Sequence, residues 1–136
     1  MSLGLPNPDC TSRQVQAAVS LLALNNEVDS RGAVFTRREV VDFILDLIGY
    51  TEDQPLHEKR LLEPSFGGGD FLLPIIERLL GAWRAAKPNG SALDDLANAV
   101  SAVELHHETF HNTYTAVFSL LKRQGIATNA ATALTD

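Results

Sequence analysis

The stretch Leu61-Leu62-Glu63-Pro64-Ser65-Phe66-Gly67-Gly68-Gly69-Asp70-Phe71-Leu72 decides how the rest of the chain is read. Two apolar residues and a carboxylate run into a proline, three glycines follow, and a long amphipathic segment begins. That order predicts a short buried strand, a tight loop and the start of a helix. Consecutive glycines let the backbone take positive φ and approach another object with no Cβ in the way. The helix that follows turns its N-terminal amides and the positive end of its dipole into the same space. Such a loop fits a small molecule; the plain alternative is a glycine turn joining strand to helix.

Glu63 narrows the choice of molecule. Loops that wrap phosphate also place glycine between strand and helix, but a carboxylate at the mouth of a phosphate cradle repels its ligand. Gly67-Gly68-Gly69 does not complete G-x-G-x-x-G, and no G-x-x-x-x-G-K-[ST] is present. A ligand with a positive amine and no phosphate suits Glu63 better. S-adenosylmethionine, with an ammonium, a sulfonium and a ribose, is one.

A second acid stands where such a ligand needs it. Val100 to Leu105 reads as the next buried strand, closing in Glu104. In nucleoside-binding α/β folds an acid at that point accepts the ribose hydroxyls. Glu104 lies 37 residues beyond Gly67, against about 20 in the dinucleotide fingerprint, which disfavours a nicotinamide cofactor. A solvated strand-end acid is the bland reading of Glu104.

At 136 residues, 45% hydrophobic and 21% charged, the chain has the makeup of one soluble globular domain. No apolar run approaches membrane-spanning length and no signal-peptide pattern opens the chain. The single Cys10 excludes an internal disulfide and fits a reducing cytoplasm, the expected location. A net charge of -6 means that the surface as a whole does not attract nucleic acid. Any DNA contact then needs a small basic patch or polypeptide beyond these residues.

Residues 1 to 10 read as an irregular lead-in, and residues 11 to 136 as a single domain. Capping-box spacing at Thr11-Ser12-Arg13-Gln14, with Val15, Val19 and Leu22 after it, predicts a helix over about 12 to 25. A second box, Thr36-Arg37-Arg38-Glu39, opens a helix over about 37 to 48 that ends at Gly49. After a polar loop come the strand at 60 to 63, the glycine loop, and a helix from about Asp70 to Arg84. Lys87 to Gly90 reads as a turn, Ser91 starts a short helix, and His107 to Arg123 forms a long one. Gly125 stops that helix, and Ile126 is the candidate start of a third strand. Strand, helix, strand, helix predicts a parallel sheet with right-handed crossovers. So thin a sheet has an exposed edge, which gives a route to self-association.

His107-Glu108-Thr109-Phe110-His111 matches the zinc-protease pattern H-E-x-x-H. Tyr114 and Val117 stand where the longer metzincin pattern has glycine and histidine, and among later residues only Asp136 could act as a third ligand. Phe110 belongs to the buried stripe, so the two histidines flank it on the exposed side. A zinc hydrolase is therefore the weakest of the readings, and no metal is expected.

Three elements, in order, resemble segments of the adenine-specific (N6) DNA methyltransferases of restriction-modification systems. The stretch Gly32 to Leu47, with Phe35-Thr36, resembles their G-x-x-[FY]-T-P-x-x-[VL] segment. Glu63 to Leu72 is similar to their [DE]-P-x-x-G-x-G-x-F-L cofactor loop, and Val103-Glu104-Leu105 to the following [VI]-E-[IL]. The resemblance covers roughly residues 31 to 125. It implies a Rossmann-like S-adenosylmethionine-dependent fold, here a partial parallel sheet preceded by N-terminal helices. It also implies a cofactor site made of Phe35, Thr36, Glu63, Pro64, Ser65, Gly67, Gly68, Gly69, Phe71, Glu104 and Leu105. Thr36 and the helix behind it would meet the methionine carboxylate, and Glu63 with the glycine backbone the amine and chain. Glu104 would take the ribose, with Leu105 beside the adenine.

Arg37 replaces the family's proline, and His106 its usual aspartate. The [NDS]-P-P-[YFW] tetrapeptide that grips the flipped base is absent from these residues. The resemblance thus implies the N-terminal piece of a longer enzyme, able to bind cofactor but inactive alone, whose DNA contacts lie elsewhere. A non-catalytic binding or regulatory module with the same fold is the alternative.

Overall fold

The computed structural model describes residues 35–86 and 89–136. The lead-in and the helix expected over about 12 to 25 lie outside the described residues, as do Gly32 and part of the turn expected at Lys87 to Gly90. The first element is helix α1, Arg38–Leu47. A single 3-10 turn at Leu56–Glu58 leads to strand β1, Leu61–Glu63, and helix α2, Leu72–Ala86. Then come α3, Ala92–Leu96, strand β2, Val100–Ala102, α4, His107–Arg123, and α5, Thr128–Thr135.

The two strands are parallel, with Leu61 opposite Val100, Leu62 opposite Ser101 and Glu63 opposite Ala102. Pairing continues past the strand ends, because Val103 N–H donates to the Glu63 carbonyl at 2.9 Å and Phe66 N–H to the Val103 carbonyl at 3.1 Å. The class is α/β with a small parallel sheet and helices. Alternation puts Leu61, Val100 and Ala102 against the core. Leu62 and Val103 are 63% and 46% exposed, so each strand is covered on one face and not, as the sequence suggests, on both. Apolar runs in a parallel sheet predict cover on both faces, and among the described residues only one face has it.

The core forms where α2 meets its neighbours. Leu72, Ile75, Ile76, Leu79 and Leu80 recur at helical spacing and are buried. Val41 and Leu45 come from α1, Leu56 from the 3-10 turn, and Val117, Leu120 and Leu121 from α4. Burying each of these side chains contributes on the order of 2 kcal/mol. Trp83 is half-buried and donates its Nε1–H to Asp95 at 2.9 Å. Gly49 and Gly125, with φ of 71° and 81°, end α1 and α4 in the left-handed conformation that glycine adopts without penalty.

Two sequence expectations give way here. Thr36 does not cap α1: Arg37 is the N-cap residue, and among the described residues no side chain bonds the first-turn amides. The Thr36 amide is drawn instead to Asp70 at 2.7 Å, so the chain enters the helix one residue later. Ile126 starts no strand; it is buried, and α5 follows within two residues. Alanine is the strongest helix former, and Ala131 and Leu134 give this short segment an apolar side to lay on the core.

Candidate functional site

The glycine loop, the ends of both strands and the approach to α1 meet in one place. Parallel pairing brings Glu63 and the start of the Glu104 segment to the same end of the sheet. Glu63 Oε1 accepts a bond of 3.2 Å from the Ser65 amide, which turns its carboxylate back over its own loop. Glu104 reaches across: Oε2 accepts from the Gly67 amide and Oε1 from the His106 amide, both at 2.9 Å. The His106 amide first, and the Gly67 amide after it, hold the Glu104 carboxyl below the usual carboxylate range against the opposing effect of desolvation.

The glycines have distinct surroundings. Gly67 has φ of 49°, and among the described residues a Cβ there would meet nothing within 4 Å, so they leave the space above it open. Gly68 lies under the Phe35 ring, whose Cε1 is 3.5 Å from where a Cβ would stand. Gly69, with φ of 89°, is packed from below, and a Cβ would come within 3.1 Å of Thr113 and 3.2 Å of Leu73. One side of the loop therefore faces open space and the other rests on α4.

Thr113 supplies that floor. It is 2% exposed, and its hydroxyl donates to the Gly67 carbonyl at 2.7 Å. The signal for it is in the sequence: Phe110, Thr113 and Val117 share one helix stripe, and a hydroxyl among apolar neighbours needs a partner. Asp70 is the other residue missing from the sequence-derived set, and its bond to Thr36 brings the α1 approach to the loop.

Of the expected site residues, Phe35 meets Gly68, Glu104 bonds Gly67, and Thr36 is tied to the loop end through Asp70. Among the described residues the Glu63 carboxylate bonds only the Ser65 amide of its own loop. Pro64 and Ser65 are exposed beside them. Leu105, 91% exposed, follows Glu104 as a bare apolar side chain. Phe71 is turned away to pack against the core. Arg38, an exposed side chain, is bridged to Asp42 at 2.8 Å and Glu77 at 2.9 Å.

Two other features complete the surroundings. A cavity of about 380 Å³ of mixed polar and apolar lining lies beside β2, between Leu72, Val100, Tyr114, Leu134 and Asp136; Thr113 also lines it, while Glu63 and Glu104 do not. The His107 and His111 rings stand 5.3 Å apart on the exposed side of α4. Among the described residues no group of three or more His, Cys, Asp or Glu is placed to hold a metal ion.

Comparison with known proteins adds the lineage. The chain is 71% identical over 90% of its length to the type II methyltransferase M.PaeR7I of Pseudomonas aeruginosa, and covers 21% of that protein. It is 47% identical over 78% of its length to the type II methyltransferase M.XhoI of Xanthomonas vasicola, covering 20% of it. The type II methyltransferase M.BstVI of Geobacillus stearothermophilus is 43% identical over 58% of the chain, with 14% of that protein covered. No protein-family description and no solved structure matches. The chain spans about a fifth of the length of the first two relatives. On these matches the chain is homologous to one stretch of type II methyltransferases.

Proposed function

We propose that these residues are the S-adenosylmethionine-binding portion of a restriction-modification DNA methyltransferase that methylates adenine at N6. In this reading the two strands are part of a larger Rossmann-like sheet. The parent protein is cytoplasmic and carries its base-gripping motif and most of its DNA contacts on further polypeptide. The observation that carries the reading is the bond from the Gly67 amide to Glu104, which makes the glycine loop and the second acid one site.

The donor set fits the group. An ionised carboxylate offers about four lone-pair positions, and two backbone amides use only part of what Glu104 has. Its free positions are available to two ribose hydroxyls. Glu63, half-buried at the neighbouring strand end, suits a cationic amine. The open space over Gly67 admits the amino-acid chain close to backbone, and exposed Leu105 offers an apolar surface to adenine. When bound, the cofactor supplies an electrophilic methyl group on sulfur. These residues bind and orient it; acceptor chemistry belongs to parts of the parent enzyme outside this chain.

Titration calorimetry with S-adenosylhomocysteine tests the reading. The chain is expected to bind it, and Glu104→Ala to weaken binding at least about tenfold, the equivalent of 1.4 kcal/mol. Unchanged affinity in that variant overturns the ribose assignment. No binding by the wild type overturns the cofactor reading.

A further inference from the structure

We infer that Asp70 is a positioning residue that latches the Phe35-Thr36 segment onto the glycine loop and so builds the amino-acid end of the cofactor site; the inference rests on the cofactor reading above. Asp70 stands between Gly69 and α2, where an aspartate ordinarily turns to cap the amides of its own helix. Here its carboxylate reaches across 34 positions of sequence and accepts the Thr36 amide at 2.7 Å. Among the described residues that is the one hydrogen bond its side chain makes. Both partners are partly buried, which strengthens a charge-assisted bond relative to one in open water.

The consequence falls on α1. Among the described residues its first turn has no side-chain cap, and the Val40 and Val41 amides both return to the Arg37 carbonyl. The Arg38 and Glu39 amides, which precede the first intrahelical bond, have no partner among the described residues. Thr36 lies two and three residues ahead of them, so anchoring it fixes where they stand relative to Gly67 and Gly68. The Phe35 ring, 58% exposed yet laid 3.5 Å from the Cβ position of Gly68, shows the same approach from a second side chain. A ligand with an amino-acid tail would span the two anchored pieces. A ligand ending at the ribose would touch only the Glu104 side.

Asp70 thus affects one end of the ligand and not the other, and a pair of probes separates the ends. Calorimetry is run on the wild type, Asp70→Ala and Asp70→Asn with S-adenosylhomocysteine and with 5′-methylthioadenosine, which lacks the amino-acid tail. Asp70→Ala is expected to weaken S-adenosylhomocysteine about tenfold and to leave methylthioadenosine within about twofold. Asp70→Asn keeps an acceptor oxygen for Thr36 and is expected to recover most of the lost affinity. Equal loss for both probes makes Asp70 a residue of the fold alone and overturns the inference. Unchanged or tighter S-adenosylhomocysteine binding also overturns it, since a carboxylate that only repels the ligand's own carboxylate behaves that way. Failure of the wild type to bind either probe strikes the cofactor reading and this inference with it. Binding by the wild type with the wrong response in Asp70→Ala strikes the inference alone.

Discussion

Gly67 and Glu104, 37 residues apart in sequence, are joined by a hydrogen bond of 2.9 Å from the glycine amide to a carboxylate oxygen. The bond lies just beyond the ladder, where Glu63 and Val103 are still paired through backbone. It therefore ties a loop to a strand end that the sheet has already brought alongside. Thr113 holds the carbonyl of the same glycine from beneath. With both polar groups of its backbone engaged and its φ in the left-handed region, Gly67 is held in one orientation while the space above it stays open. Preorganisation of this kind lowers the ordering cost of binding.

The Glu104 anchor should depend on acid in a defined direction. The His106 and Gly67 amides favour the ionised carboxyl, so the folded chain holds it below the ordinary value. A group shifted that way contributes its full stabilisation above the unfolded value and loses it as pH falls through the folded one. The Gly67 amide proton, followed by NMR, should keep its hydrogen-bonded shift through mild acid and move only below the ordinary glutamate range. A midpoint at or above that range contradicts the anchor.

The glycines should differ in their tolerance of a methyl group. Gly69→Ala meets positive φ and a 3.1 Å contact to Thr113 together, and is expected to cost about 2 kcal/mol or more. Gly68→Ala meets one ordinary contact to an exposed ring and is expected to change stability by less than about 0.5 kcal/mol. Urea denaturation of the two variants checks the contrast, and equal losses count against the loop geometry.

Much of this site is legible in the chain because it is made from local signals. Strand, glycine loop and helix are written contiguously from Leu61 to Leu72, and Glu104 closes the next apolar run. What escapes is whatever depends on a partner far away. Thr36 has every mark of a cap, yet its amide is claimed by Asp70, 34 residues on. Ile126 looks like a strand start because one β-branched residue follows a helix stop. The alanines after it and the packing of Ala131 decide for helix. Exposure of Leu62 and Val103 is equally invisible, since periodicity reports a strand's apolar positions and not which of them find cover.

Arg78 should prove the main polar brace between α1 and α2. Its side chain is 13% exposed, and its guanidinium donates to Asp46 at 2.5 Å, to the Asp42 carboxylate at 3.0 Å, and to the carbonyls of Asp42 and Tyr50 at 3.1 Å and 3.0 Å. Arg78→Ala removes four donated bonds and leaves two carbonyls without this donor, a loss of about 2 kcal/mol or more. Lysine keeps the charge but not the planar fork, so Arg78→Lys should recover less than half of the lost stability. Full recovery in the urea midpoint would show that charge alone suffices.

Tyr50 presents the reverse case, a polar group whose removal should help. The residue is 5% exposed, and its hydroxyl is buried with no hydrogen-bond partner among the described residues. Tyr50→Phe deletes that hydroxyl while keeping the ring, and at neutral pH is expected to be neutral or stabilising by up to about 1 kcal/mol. Alkali separates the two proteins further. Burial pushes the Tyr50 hydroxyl from 10.0 up to about 12, so between those values the unfolded chain ionises while the folded one holds its proton. Stability from this group is therefore full below pH 10 and falls as pH rises toward 12, by about 3 kcal/mol for a two-unit shift. The phenylalanine variant has no such group to lose. Denaturation curves at pH 9 and pH 12 should show the wild type losing more than the variant by roughly that amount, and parallel losses would place the hydroxyl in water instead of in the core.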